Sequence, residues 1–154
     1  MASRSVRRAT VDDADTLLAL RGAMYDALEV DTSGSDWRDA CRSLLVERLA
    51  RDDFAGMLCE VGGEVVSGGV AWVEFHLPNP LDAAGRRGYI SSMSTLQHAR
   101  GRGHARAVVQ ALLDWCVAQG CRRVDLRATT YGEPLYSGMG FRIATGLPMT
   151  WTTP

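Results

Sequence analysis

Apolar side chains along this chain follow two rhythms, and the rhythm changes at glycines and prolines. Ala14, Leu17, Leu18, Met24, Tyr25 and Leu28 recur at helical spacing. Trp37, Ala40, Cys41, Leu44, Leu45 and Leu49 repeat that spacing after a polar Asp31-Thr32-Ser33-Gly34 link. The first helix opens at Thr10, with Asp13 completing a variant capping box, and the second is expected to start near Ser35-Asp36. Two apolar runs follow, Phe54 to Val61 and Glu64 to Phe75. The Gly62-Gly63 pair between them predicts an antiparallel hairpin.

The remaining pattern completes a mixed architecture. Ser5 to Ala9 can form a short first strand, and Pro78, Pro80 and Gly85 mark Leu77 to Gly88 as a loop. Tyr89 to Leu96 reads as a strand. Ala105, Val108, Val109, Leu112, Leu113, Cys116 and Val117 then form one helical stripe, closed by Gly120. From Arg123 to Ala128, Val124, Leu126 and Ala128 alternate with charged neighbours, so a further strand is expected. A short helix fits Pro134 to Met139, and Phe141 to Trp151 is expected as a closing strand or pair of strands interrupted by Pro148. The order β-α-α-β-β-β-α-β-α-β predicts a three-layer α/β fold, a mixed central sheet with helices on both faces. The 154 residues show no repeat or linker and suit a single domain over 1–154.

Composition narrows the class. With 46% hydrophobic residues, 23% charged residues and a net charge of -1, this is an ordinary globular balance. It argues against a nucleic-acid-binding surface, which usually needs a basic domain. All 17 basic side chains are arginine. Cys41, Cys59, Cys116 and Cys121 lack metal-ligand spacing and read as buried free thiols, and His76, His98 and His104 add no ligand pair, so no metal is expected. No apolar run reaches the length of a membrane span, and Asp12, Asp13 and Asp15 directly after Arg7 and Arg8 speak against a presequence. A cytoplasmic protein with no membrane partner is expected, and a homodimer is left open.

Candidate chemistry begins at Arg100-Gly101-Arg102-Gly103-His104-Ala105, a glycine-broken basic turn between a strand and a helix. Such a turn aims backbone N–H groups and a helix N-terminus at an anion. The alternative is a plain Arg/Gly surface turn. The chain has no lysine, which excludes the Walker phosphate loop, and Arg106 stands where a dinucleotide fingerprint needs its third glycine. What remains is Arg-x-x-Gly-x-Ala over Arg100, Gly103 and Ala105. Downstream lies Leu135-Tyr136-Ser137-Gly138-Met139-Gly140-Phe141, a Leu-Tyr-x-x-x-Gly-Phe cluster.

In this order and context the two clusters resemble the GNAT superfamily of acyl-CoA-dependent N-acyltransferases, and the element order over the whole chain is similar as well. Two positions differ from the family's usual pattern: Gln97 stands where a proline is common, and Thr129 where an asparagine is common. The resemblance implies acetyl-CoA as cosubstrate and acetyl transfer by direct attack of a primary amine, carried by a small molecule or a peptide. It implies that Arg100, Gly101, Arg102, Gly103, His104, Ala105 and Arg106 hold the pyrophosphate. Met93, Ser94 and Thr95 would pair with pantetheine and offer a backbone oxyanion donor, and Thr129 would offer its hydroxyl. Tyr136 would protonate the departing thiolate; the alternative is that it only packs over the cofactor.

The general base comes from the residues themselves. Glu74 is the candidate, late in a strand with Trp72 and His76 on the same face, unless it is a solvent-facing carboxylate. His76 and Glu133 are reserves. Trp37, Tyr25, Trp72 and Trp151 could line an acceptor pocket or belong to the core. Asp31, Asp36 and Asp82 lie in loops expected on the acceptor side and would favour a cationic amine. The competing function is a non-catalytic acyl-CoA-binding or regulatory module.

Overall fold

In the computed structural model, which describes residues 2–34 and 36–154, five strands form one sheet in the order β1-β2-β3-β4-β5. They are β1 (Arg4–Arg8), β2 (Phe54–Val61), β3 (Glu64–Phe75), β4 (Arg86–Thr95) and β5 (Arg123–Asp125). The first four pair antiparallel and β5 pairs parallel with β4, so the sheet is mixed. The β2–β3 hairpin turns where the glycine pair predicts. Gly62 and Gly63 take φ of 59° and 84°, the two positive angles that a tight type I′ turn demands.

Helices α1 (Ala14–Ala27) and α2 (Trp37–Leu49) cover one face, burying Leu17, Leu20, Leu45 and Leu49 against Phe54, Leu58 and Val70. On the other face lies α3 (His104–Ala118), whose Val108, Val109, Leu112 and Cys116 pack on Ala71, Val73 and Ile90. The result is the expected three-layer arrangement. α3 sits close because β4 offers it a glycine: a Cβ at Gly88 would stand 2.6 Å from the Cys116 sulfur. A short helix, α4 (Glu133–Gly138), follows β5.

The entry to α1 is held by charge. Asp13 accepts the Thr10 backbone N–H at 2.7 Å and a two-pronged guanidinium contact from Arg7, each prong 2.8 Å. Arg7 also donates through Nε to Glu60 at 2.7 Å, so one arginine joins β1, β2 and the start of α1.

Several boundaries differ from the sequence expectation. Asp36 occupies the cap position of α2, while Ser35 lies outside the described residues. β4 begins at Arg86, so the expected loop ends earlier, and β5 stops at Asp125, short of Ala128. The closing strand expected over Phe141 to Trp151 is not formed. Gly146 takes φ 95° and Pro148 has no N–H to give, which together break a ladder. The apolar side chains there find no sheet face: Ile143 is 93% exposed and Trp151 81%.

Candidate active site

The middle of the sheet is where its regularity fails. Ser91 pairs with Val70 and Ser94 with Gly68, leaving Ser92 and Met93 together opposite Gly69. Two residues facing one make a β-bulge, which frees main-chain groups from the ladder. Ser92 takes φ 58°, the left-handed conformation that a non-glycine residue rarely adopts. Gly69 gives the bulge room, since a Cβ there would collide with the Met93 side chain.

β4 also loses its outer neighbour at this level. β5 pairs with it only at Arg87, Gly88 and Tyr89, and the ladder goes no further. From Ile90 to Thr95 that edge of β4 is open, a strip of main-chain donors and acceptors able to take an extended amide chain. The strip is stiffened from β3, where the buried Ser67 hydroxyl donates to the Ser94 carbonyl at 3.1 Å and lies 2.8 Å from the Thr95 hydroxyl.

The open edge leads into the glycine loop. Gly101 and Gly103 take φ of 74° and 80°, and Gly103 caps the 15-residue α3. A Cβ at Gly101 would meet nothing, so the glycine is there for its backbone angle. The first turn of α3 leaves N–H groups without intrahelical acceptors, beside the positive end of the helix dipole. Arg102 is exposed on this loop, whereas Arg100 turns back to donate to the Thr95 carbonyl at 3.1 Å. His104 offers the loop main chain only. Its ring is buried, with Nδ1 3.7 Å from the Cys59 sulfur, and burial followed by the charges of Arg4 and Arg102 holds its pKa below the ordinary value.

Arg106 donates to the Gly138 carbonyl at 3.3 Å and so ties α3 to the end of α4. On α4, Tyr136 is half-buried, its ring edge-on to Phe141 at 5.7 Å, and burial pushes its phenol pKa up. Thr129 accepts the Gly132 N–H at 3.1 Å, which starts the turn into α4. Glu133 is engaged with Ser137 on the same helix.

On the α1/α2 face, a cavity of about 610 Å³ runs from Tyr25 and Trp37 to Trp72, Ser91 and Ser92. It therefore meets the sheet at the bulge. Trp72 donates its indole N–H to Glu74 at 3.1 Å, and His76 Nε2 lies 3.1 Å from the other oxygen of that carboxylate. Three of the four aromatic candidates meet here, but Trp151 does not line the cavity. Asp31 lines it, whereas Asp82 is buried and accepts the Ala84 and Gly85 N–H groups of its own loop. Buried in its own loop and away from the cavity lining, this carboxylate is closed to an acceptor.

A family model described as the acetyltransferase (GNAT) family matches residues 22–141, most of the chain. The chain belongs to this family. It is thus an acetyltransferase. Solved structures agree on the fold. A GCN5-related N-acetyltransferase from Ralstonia eutropha is 26% identical with a TM-score of 0.86, covering 97% of this chain and 99% of that one. A predicted acetyltransferase with acetyl-CoA from Clostridium acetobutylicum is 20% identical with a TM-score of 0.88, covering 96% of each chain. Glucosamine-6-phosphate N-acetyltransferase from Arabidopsis thaliana is 20% identical with a TM-score of 0.76, covering 98% and 99%. No curated protein sequence gives a significant match.

Sequence reasoning about this GNAT chain missed Ser91 and Ser92. A signal was present in Gly68-Gly69, because glycine inside a strand marks a bulge or a close approach. Among the described residues, no helix is long and apolar enough to cross a membrane.

Proposed function

We propose that this GNAT protein, acting as one domain, transfers the acetyl group of acetyl-CoA to a primary amine of a small molecule or peptide by direct attack. The observation that carries the reading is the β4 bulge, placed between the aromatic cavity and the open strand edge that leads to the glycine loop.

The residues fit the cosubstrate in three places. Met93, Ser94 and Thr95 lie on the open edge, where backbone pairing can hold pantetheine. Gly101, Gly103, His104 and Ala105 present main chain at the start of α3, where pyrophosphate is favoured by unpaired N–H groups and the dipole. Arg102 adds charge, while Arg100 and Arg106 shape the loop through their carbonyl contacts, and the Thr129 hydroxyl can still donate. Acetyl-CoA supplies an activated acyl group on a thiol leaving group. The Clostridium neighbour, solved with acetyl-CoA, supports this choice.

The protein's own groups then have separable tasks. Main-chain N–H groups at the bulge polarise the carbonyl and need no side chain. Glu74, held by Trp72 and His76, takes the amine proton through water. Tyr136 keeps its proton because it is half-buried, and passes it to the sulfur as the C–S bond breaks.

The test pairs binding with turnover. Acetyl-CoA should raise the melting temperature, and an amine panel should release free thiol in the presence of acetyl-CoA. Failure of acetyl-CoA to stabilise the protein would remove the cosubstrate assignment.

A further inference from the structure

Resting on that reading, we infer that the acceptor amine is carried on an aromatic or comparably bulky apolar body, and that the cavity between α1, α2 and the sheet holds that body. The cavity is walled by rings from four separate elements, α1, α2, β2 and β3. Tyr25 and Trp37 meet edge-to-face at 5.5 Å, and Phe54 stacks on Trp72 at 6.3 Å. Leu44 and Val70 add aliphatic surface. At about 610 Å³ the space is within the range of small-ligand pockets.

The indole N–H groups of these walls are already occupied by the protein. The Trp37 indole N–H donates to the Thr32 carbonyl at 3.2 Å, and that of Trp72 donates to Glu74 at 3.1 Å. Arg21, which also lines the cavity, stacks its guanidinium over the Tyr25 ring at 5.1 Å. What Trp37, Phe54 and Trp72 leave to a guest is carbon surface. A sugar body would place hydroxyls against it without partners, and each unpaired polar group costs about tenfold in affinity or more. An arylalkyl body loses nothing of that kind and stacks on the same rings.

Charge orients the guest. Asp31 lines the cavity, and its Oδ1 is spent on the Ser33 N–H and hydroxyl. Glu74 is held to the Trp72 wall, and Ser91 and Ser92 form the end at the bulge. An ammonium is drawn towards Glu74 and the bulge while its apolar body fills the Tyr25 and Trp37 end. A phosphorylated aminosugar, the substrate named for the Arabidopsis neighbour, would have only Arg21 for its phosphate among the residues lining this cavity.

The experiment compares acceptors on the full-length protein with acetyl-CoA, read as thiol release and confirmed by mass of the product. The probes are phenethylamine and tryptamine, glucosamine 6-phosphate, an aminoglycoside, and a short peptide with a free N-terminus. We expect kcat/KM for the arylalkylamines to exceed that for the sugars and the peptide by about 100-fold, the scale on which pockets discriminate. Ala40, an exposed α2 residue at the cavity, allows a filling variant that leaves the core untouched. Ala40→Trp should raise KM for phenethylamine about tenfold or more while KM for acetyl-CoA stays unchanged. Equal or better use of a sugar or the peptide overturns the inference and leaves the acetyltransferase reading standing. Stabilisation by acetyl-CoA with no arylalkylamine turned over, or no effect of Ala40→Trp on the amine KM, also overturns it. Absence of both stabilisation and turnover would remove the cosubstrate assignment and the inference with it.

Discussion

Trp72 donates its indole N–H to Glu74 at 3.1 Å, so the wall of the aromatic cavity and the proposed base are one hydrogen-bonded unit. His76 completes the unit from the other carboxylate oxygen. Glu74→Gln keeps a group that can accept from the indole but removes the base. It should lower kcat about 100-fold with little change in KM for acetyl-CoA, measured by thiol release. Trp72→Phe should move KM for the amine more than kcat, because it trims the cavity wall while His76 still holds the carboxylate.

Replacing Tyr136 by Phe preserves the edge-on packing with Phe141 and deletes the proton. We expect kcat to fall about 100-fold with acetyl-CoA still bound, as judged by an unchanged thermal shift. Because burial raises the phenol pKa, its deprotonation belongs above the ordinary value near 10. The kcat profile of the unmodified protein should therefore show no alkaline loss from this group below about pH 10. An alkaline fall near pH 8 that Tyr136→Phe abolishes would contradict the assignment.

His104 makes stability depend on pH. Its folded pKa lies below the ordinary value of 6.5, so the unfolded chain takes up a proton first as pH falls. The contribution is complete above about pH 6.5 and is lost progressively below it, until the folded form also protonates. Melting temperature should thus drop between pH 7 and pH 5 by more in the unmodified protein than in His104→Gln. Parallel curves for the two proteins would refute a buried neutral ring.

Asp13 adds a loss of the same sign at lower pH, here because its charged form is the one favoured by folding. Arg7 first, then the Thr10 hydrogen bonds, hold its pKa at about 2, against burial, so its contribution is present above the ordinary carboxylate range and lost as pH falls through about 2. Asp13 is 13% exposed but Arg7 is 41% exposed, so solvent screens the pair. Asp13→Asn should cost about 1–2 kcal/mol at neutral pH, read from urea unfolding, and much less at pH 2.

The parts of this fold that could be read from sequence are those encoded locally. The stripe from Val108 to Cys116 and the Gly62-Gly63 turn are properties of neighbouring residues, and both match the structure. The bulge at Ser92 depends on how β4 registers across Gly69, which no local pattern states. The aromatic cavity likewise assembles Tyr25, Trp37 and Trp72 from three separate elements. Leu147, Met149 and Trp151 alternate like a strand, yet alternation describes a side-chain preference and says nothing about whether a partner strand is present.

The bulge also has a genetic consequence. Its proposed polarising groups are main-chain atoms at Ser92 and Met93, shared by every amino acid except proline. A scan of alanine substitutions across this segment leaves those N–H groups in place, so it reports on side-chain packing and not on the proposed chemistry. Only a change to the backbone itself, such as an ester in place of the amide, would expose what the segment does.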